Sequence, residues 1–372
     1  MNLLNATKFQ AAYTMGVDKE GRESIVVAVK GTYEIPRQPG QEAELAAQQL
    51  PLLFADEFTG EPGFSAPLRE TDFAPLKHRC DVLLTGCAHA PKGQSTPRLR
   101  VGLKVGVLTK SFDVVGDRKW EVDSFLRIRP GRPEPFEVMP ISYDNAFGGL
   151  DEYSDDPKKH SAYMANPVGK GYHRELDPQV VIGTPLPNTE ESGQPVERPD
   201  GKYRPMALGP IGRGWNPRLQ YAGTYDDQWL EEHFPFLPPD FDEAYFQAAP
   251  PDQQIPYLQG GEEVILVNLT PEGRTAFQLP TVKIPVVFFR RRGEDVNHEA
   301  RCDTLHLQPE RGLFTLTWRV SEPIRRDIFE FSEILVGEMP RGWWRARETG
   351  KTWYPSLAHL VDAKRKESLE EN

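Results

Sequence analysis

The feature that most constrains this chain is a proline- and aromatic-rich segment between residues 205 and 257. It contains ten aromatic side chains and nine prolines, with eight acidic residues and two arginines. Proline removes a backbone donor and fixes φ, so neither a long helix nor a central strand runs through such a segment. Ten rings are too much apolar surface for a flexible linker. We predict an ordered, irregular loop pinned to the protein body by its rings, and we call residues 205–257 the wrap.

The charge of the chain argues against a nucleic-acid partner. Its net charge is −11, and the wrap supplies −6 of it, two arginines against eight acids. A nucleic-acid-binding protein concentrates positive charge along one face to neutralise phosphates. The basic clusters here, at 290–292 and around Arg341, are interpreted as solvated strand ends. A basic partner surface fits this chain better than an acidic one.

Location is inferred from the N-terminus, the hydropathy and the cysteines. The first residues lack the charged start and apolar run of a signal peptide, and no apolar run reaches the length needed to cross a bilayer. Cys80, Cys87 and Cys302 are few and odd in number, which suits a reducing compartment. The predicted location is the cytoplasm, without a membrane partner.

The dominant hydrophobic period is two, which is typical of strands. Strand-like runs occupy 25–33, 101–107, 263–269 and 286–289, and residues 305–319 read as a hairpin around a Pro-Glu-Arg-Gly turn. The predicted fold is mainly β, a β-rich α+β class. Antiparallel sheets pack as sandwich or barrel-like subdomains with long ordered Pro/aromatic loops.

Helical signal is sparse. Leu357, Leu360 and Val361 share one face and Ser356 is placed to cap it, which predicts a short C-terminal helix over 356–370. Residues 327–336 fit a short helix or a strand equally well. Stretches 36–49 and 184–205 read as surface loops.

These boundaries divide the chain into three parts. They are an N-terminal β-rich part (1–183), a Pro/aromatic part that contains the wrap (184–257), and a C-terminal β-rich part with the terminal helix (258–372).

No strong catalytic or metal-binding motif is present. The pairs His78/Cys80 and His298/Cys302 have spacings that suit ordinary sheet positions better than a zinc site. The glycines at 209–214 resemble a phosphate loop only loosely, and we interpret them as making room for Trp215. We therefore expect no catalytic residue, no metal and no cofactor.

Carboxylates near the wrap form the competing enzymatic hypothesis. A glycosidase places two carboxylates about 5–10 Å apart across the sugar, often beside aromatic platforms. The candidate acids and platforms are Asp226, Asp227, Asp240, Asp242, Glu262, Glu263, Trp215, Trp229, Tyr221 and Tyr225. Adjacent acids on a strand point to opposite faces, and aspartates beside proline and glycine commonly cap turns. A structural role is favoured for them.

Two further runs allow two interpretations each. Residues 142–149 suggest a nucleophile at Ser142, but they equally fit a strand that ends in an Asx turn with two glycines at special backbone angles. Trp343 and Trp344, beside Arg341 and Arg345, fit an exposed contact patch or core packing with cation–π contacts.

Three segments together resemble a known family. They are ISYDNAFGG at 141–149, the run from Gly214 to Gln254, and LQGGEEVILVNLTPEG at 258–273. With the early runs VAVKGTYEI and KHRCDVLLTGCAHAP, they resemble the bacterial family called domain of unknown function 2169 (DUF2169) over about residues 10–320. The resemblance implies an adaptor or chaperone encoded in type VI secretion clusters, which helps to load PAAR-containing effectors onto the VgrG spike. The family has no established catalytic residues.

The resemblance implies non-enzymatic binding of an effector protein and, through it, of the VgrG spike. An acidic, β-rich body with an ordered aromatic loop and no catalytic motif suits such a role. The wrap would frame the contact surface, and Asp226 and Asp227 would steer basic partners. The predicted contact residues are Trp215, Tyr221, Tyr225, Asp226, Asp227, Trp229, Trp343 and Trp344. The alternative is a carbohydrate-active hydrolase that uses Asp226, Asp240 or Glu262.

Overall fold

The computed structural model of the chain describes residues 1–38, 41–325, 327–361 and 365. Most regular structure in this part is β. The strands of the first half are β1 (Asn2–Asn5), β2 (Gln10–Val17), β3 (Glu23–Glu34), β4 (Glu57–Phe58), β5 (Pro67–Arg69), β6 (Cys80–Leu84), β7 (Gly86–His89), β8 (Arg98–Val105), β9 (Leu108–Val115), β10 (Trp120–Val122), β11 (Ile128–Pro130), β12 (Val138–Ile141), β13 (Phe147–Gly148), β14 (Leu150–Asp151), β15 (Ser161–Ala162), β16 (Lys170–Gly171) and β17 (Thr189–Glu190). Those of the second half are β18 (Gln254–Ile255), β19 (Glu263–Val267), β20 (Arg274–Gln278), β21 (Pro285–Arg290), β22 (Val296–Glu299), β23 (Arg301–Gln308), β24 (Leu313–Pro323) and β25 (Phe331–Val336).

Helices are short. They are α1 (Pro178–Val181), α2 (Asn216–Leu219), α3 (Asp227–Glu232) and α4 (Arg341–Glu348). Residues 357–361 are also helical, and the Ser356 hydroxyl accepts a hydrogen bond from the His359 N–H, at 3.4 Å, as predicted for a cap. The remainder of the helix predicted over 356–370 lies outside the described residues, apart from residue 365. None of the helices in the described part is both long and apolar enough to span a membrane.

Three sheets form the body. A six-stranded sheet has the order β18-β6-β23-β24-β3-β2, a five-stranded sheet the order β17-β9-β8-β19-β20, and a four-stranded sheet the order β1-β25-β21-β22. Most neighbours are antiparallel, whereas β1/β25 and β6/β23 are parallel. The prediction of a mainly β fold with antiparallel sheets is confirmed, and in the described residues no sheet closes into a barrel.

The sheets share one hydrophobic core. Residues 25–29 of β3 are completely buried because β3 lies between β24 and β2 with both faces covered. The same core takes side chains from all three predicted parts of the chain, among them Val101, Met206 and Phe288. The three parts are thus joined by a common interior.

One prediction about loops needs correction. Residues 184–205 are only in part a surface loop, because residues 186–190 are buried, β17 pairs with β9 and the Glu190 side chain lies against Arg118. A buried carboxylate needs a charged partner of this kind. The sequence of 184–205 has no alternating strand pattern, so it did not reveal that Glu190 is buried. The segment 327–336, which by sequence fits a helix or a strand, contains a single 3-10 turn at Ile328–Glu330 followed by the strand β25.

Candidate functional site

The wrap is ordered, as predicted, and buried charged side chains as well as its rings hold it to the body. Arg218, on α2, is 2% exposed and pairs with the Glu70 carboxylate. Its guanidinium also donates to the Tyr245 carbonyl, at 2.7 and 3.1 Å, and to the Ile211 carbonyl, at 2.9 Å. One arginine thereby ties two distant stretches of the wrap to the loop before β6. Arginine suits this role because its planar fork satisfies several acceptors at once.

A second buried charge holds the next stretch of the wrap. Asp81, on β6, is fully buried and pairs with the Lys77 ammonium at 2.6 Å. Its two oxygens also accept from the Gln247 amide and from the Ala248 and Ala249 N–H groups, at 2.8–3.2 Å. An aspartate inside an apolar strand is costly unless it is satisfied in this way.

A third anchor lies at the end of the wrap. Gln253 is fully buried and donates to the carbonyls of Val82 and Leu208. Lys110, on β9, donates to the Gln253 side chain at 2.7 Å and lies 3.1 Å from Asp252. Burial lowers the pKa of Lys110 from 10.5 to about 8, and Asp252 offsets part of that effect.

This depressed pKa predicts a pH dependence of stability. Between pH 8 and 10.5 the unfolded chain keeps the Lys110 proton that the folded protein has lost, so stability rises with pH over this range. We expect the wild type to gain up to about 3 kcal/mol relative to Lys110→Met between pH 7.5 and 10.5. Urea unfolding at both pH values measures this difference. The matched control Lys104→Met, at a partly exposed lysine on β8, should show no such trend. A pH-independent difference for Lys110→Met would contradict the assignment.

Trp215 is a core residue. It is 7% exposed, and its ring meets Tyr143 edge-on at 5.3 Å. The prediction that a glycine makes room for it is confirmed at Gly212, where a Cβ would lie 2.4 Å from the indole nitrogen. Its indole is therefore largely out of reach of a partner, and the place of Trp215 among the predicted contact residues is corrected. Its burial follows from its position in the anchored base of the wrap.

Residues 223–240 project from this base, and we call them the knob. Asp240 joins the two ends of the knob, which we call its neck. Its carboxylate accepts hydrogen bonds from the Thr224 N–H and hydroxyl, at 2.9 and 2.7 Å. These bonds hold the pKa of Asp240 below its ordinary value. Half-buried Tyr221, at the base of the neck, accepts from the Asp242 N–H through its carbonyl at 3.0 Å.

Inside the knob, the half-buried Trp229 side chain packs against the other rings. It meets Tyr225 edge-on at 4.7 Å and Phe234 at 5.7 Å, and its indole N–H donates to the Phe236 carbonyl at 2.9 Å. Asp226 caps α3 by accepting from the Trp229 N–H at 2.9 Å. The knob therefore has a defined shape although it extends from the body.

The outer surface of the knob is apolar with an acidic margin. Tyr225, Leu230, Phe234 and Phe236 are 53%, 58%, 63% and 48% exposed. Five acids lie in the same segment, which has no lysine or arginine. Grouped exposed aromatic and aliphatic side chains are characteristic of interaction surfaces. Asp227 is exposed on this margin, whereas Asp226 is engaged as a cap.

The carboxylates considered for hydrolysis are engaged in local structure. Asp226 caps α3, Asp240 closes the neck of the knob, and Glu262 accepts from the N–H groups of Gln259 and Gly260 at 2.7 and 2.9 Å. Asp226 and Asp227 lie at a helix start and not on a strand, so the argument from strand alternation does not apply to them. These contacts are those of turn- and cap-forming acids.

Trp343 and Trp344 lie on α4 and are half-buried against the four-stranded sheet. Both rings contact Phe289, at 6.0 and 5.9 Å, and Arg347 stacks on Phe289 at 3.6 Å. Of the two interpretations left open, this geometry favours packing with a cation–π contact. The cation is Arg347, not Arg341 or Arg345.

The run 142–149 forms a turn that organises a neighbouring loop. Asp144 accepts from the Thr59 hydroxyl, the Ala66 N–H and the Ser142 hydroxyl, at 2.8–3.0 Å. The glycines at 148 and 149 have φ of 153° and 119°, as the turn interpretation predicts. Ser142 thus donates to a carboxylate and has no histidine beside it among the described contacts.

A cleft of about 820 Å³ lies beneath the knob, and sequence reasoning missed it. Its walls come from the wrap, from β22 and from β24, which are far apart in sequence. Apolar lining includes Leu237, Phe241 and Phe246 of the wrap together with Leu76 and Val282. No local sequence pattern predicts a cleft whose walls come from segments so far apart in the chain. For the buried anchors, by contrast, the isolated Asp81 within a strand of cysteine, valine and leucine was a readable signal.

Comparison with known proteins identifies the family to which the chain belongs. Neither the curated proteins nor the solved structures provide a match to this chain. A family model described as uncharacterized protein conserved in bacteria matches residues 20–319, which is most of the chain and close to the predicted span. The chain belongs to that family, DUF2169.

Proposed function

We propose that this protein is a non-enzymatic adaptor of a type VI secretion system, which binds a PAAR-containing or related effector and helps to place it on the VgrG spike. The observation that carries the proposal is the knob, an exposed apolar surface on a base fixed by buried charges. A rigid base lowers the conformational cost of binding, because less freedom is lost when the partner docks. The secretion role is the part implied by the family resemblance.

The partner surface is apolar with basic margins. Tyr225, Leu230 and Phe234 would bury against its apolar part, and exposed acids such as Asp227 would attract its positive charges. Buried aromatic anchors contribute most of the affinity of such interfaces, whereas rim charges mainly raise the association rate. The wrap is acidic and the whole chain has a net charge of −11, which supports the electrostatic attraction of a basic partner surface.

The knob supplies a direct test. The double variant Tyr225→Ser/Phe234→Ser should fold normally, since both rings are more than half exposed. It should bind the effector at least about tenfold more weakly, because truncating a hot-spot aromatic costs about 2 kcal/mol or more. The assay co-expresses the protein with products of adjacent genes and measures the dissociation constant of any complex by calorimetry.

The matched control is Phe125→Ser/Leu126→Ser. These two side chains are 76% and 83% exposed at the tip of the β10–β11 hairpin, so the control removes exposed apolar surface elsewhere. Unchanged affinity in the knob variant, or an equal loss in the hairpin control, would contradict the proposed surface.

The hydrolase alternative predicts a different result. Turnover of any polysaccharide by the purified protein, abolished by Asp240→Asn, would support it over the adaptor. The adaptor proposal is favoured because the three acids named for hydrolysis, Asp226, Asp240 and Glu262, already serve a cap or a turn.

A further inference from the structure

The cleft beneath the knob contains a strand edge that has no neighbouring strand among the described residues. β22 pairs with β21 on one side and is the last strand of its sheet. Asn297, His298 and Glu299 of β22 line the cleft. An unpaired strand edge presents backbone donors and acceptors to whatever lies beside it.

The hydrogen-bond register shows which groups point outward. The Ala300 N–H donates to the Ile284 carbonyl at 2.9 Å, towards β21. The Pro285 carbonyl, opposite Glu299, instead accepts from Gly337 on the far side of β21. Because orientation alternates along a strand, the N–H and C=O groups of Asn297 and Glu299 point away from β21. Within the described residues, these two amides have no acceptor.

The edge is held in position. The His298 ring lies 2.8 Å from the Glu322 carboxylate, which also accepts from Arg290 at 3.0 Å. This contact ties β22 to β24, whose residues 320–323 also pair with no strand on the side away from β3 in the part of the chain that the structure describes. The site is therefore formed before any partner arrives.

The charges around the cleft indicate the chemistry of the occupant. Lys19, Lys283 and Arg301 line it, are exposed, and have no carboxylate within 4 Å among the described residues. Of the lining acids, Asp18 is paired with Arg22, Glu243 is hydrogen-bonded to the His78 ring, and Glu299 has no cationic partner in the described part. The three cations therefore outnumber the two carboxylates, Glu243 and Glu299, that no arginine or lysine pairs with, although Arg301 also lies over the Tyr257 ring. This local positive excess differs in sign from the net charge of the whole chain.

We propose that the cleft takes an extended segment of the effector, with alternating apolar and acidic residues, as an added strand along β22. Backbone groups of the segment pair with Asn297 and Glu299. Its apolar side chains contact Leu76, Leu237 and Val282, and its acids meet Lys19, Lys283 and Arg301. Strand addition of this kind takes affinity from main-chain bonds and specificity from alternate side chains. That the segment comes from an effector rests on the proposed adaptor role. The binding chemistry of the cleft does not depend on that role.

The test uses a defined probe, a capped octapeptide of alternating valine and glutamate, and its valine–lysine counterpart. Calorimetry should show that the glutamate peptide binds the full chain at least tenfold more tightly than the lysine peptide. Asn297→Pro removes the outward N–H while leaving the bonds to β21, and proline is tolerated on edge strands. It should weaken binding at least tenfold, whereas the matched variant Asn297→Ala should change it less than twofold.

A second variant keeps the test decisive if the proline variant does not fold. Lys283→Glu, at an exposed side chain, should reduce affinity for the glutamate peptide and raise it for the lysine peptide. Absence of binding by wild type, equal binding of the two peptides, or a folded Asn297→Pro variant that binds like Asn297→Ala would overturn the inference. Tyr225→Ser/Phe234→Ser should bind the glutamate peptide normally, so a failure of the cleft and a failure of the knob give different results.

Discussion

Replacing Asp81 by alanine is expected to lower the free energy of unfolding by about 3–5 kcal/mol, the usual loss when one partner of a buried ion pair is removed. The variant leaves the Lys77 ammonium buried without its anion, and leaves the Ala248 and Ala249 N–H groups without an acceptor. Chemical denaturation followed by tryptophan fluorescence measures the change.

Asp18→Ala is the matched control for this experiment. Asp18 also accepts from two backbone N–H groups and an arginine, but its side chain is one-third exposed, so water replaces the lost partners. We expect a loss of about 1 kcal/mol or less for the control. Equal losses in the two variants would show that Asp81 is not an anchor of the wrap.

Arg218→Met should have the second large effect, again about 3–5 kcal/mol. The methionine fills part of the volume but removes the main partner of the largely buried Glu70 carboxylate, which keeps only the longer contact with Arg213, at 3.5 Å, among the described residues. It also leaves the Tyr245 and Ile211 carbonyls without their donor. We also expect limited proteolysis to cut the wrap faster in this variant, because α2 loses the ion pair that joins it to Glu70 in the loop before β6.

The control for Arg218→Met is Arg213→Met. Arg213 bonds Asp56 at 2.9 and 3.2 Å and lies 3.5 Å from Glu70, but it is about one-third exposed, so we expect a smaller loss, about 1 kcal/mol. A double variant Arg218→Met/Glu70→Gln should recover part of the stability by removing a largely buried charge that has lost its main partner. No recovery in the double variant, with a loss as large in Arg213→Met, would contradict the buried-pair account.

The strands were predictable because their hydrophobic period is local. Residues 25–33 and the hairpin 305–319 alternate or cluster β-branched side chains, and both appear as β3 and as β23 with β24. Short strands without such a period escaped detection. β17 is two residues long, and it belongs to the sheet only because Asn188 and Glu190 find partners distant in sequence.

The presence of an ordered wrap was predictable from the sequence, but the burial of its individual rings was not. Proline and ring density identified the wrap, yet nothing local distinguished buried Trp215 from exposed Tyr225, because burial depends on which side of the neck each ring lies. The ties that fix the base, Asp81 to Ala248 and Arg218 to Glu70, join residues about 150 positions apart or more. Long-range pairing of this kind is set by topology, which one sequence does not reveal.

We propose that the effector docks on the knob. A test in cells that co-express the effector places the photo-crosslinking residue p-benzoylphenylalanine at position 234, with position 125 as the control. Both phenylalanines are well exposed, so neither replacement disturbs the core. We expect a crosslink to the effector from position 234 and none from position 125. No crosslink from 234, or equal crosslinking from 125, would show that the knob is not the contact surface.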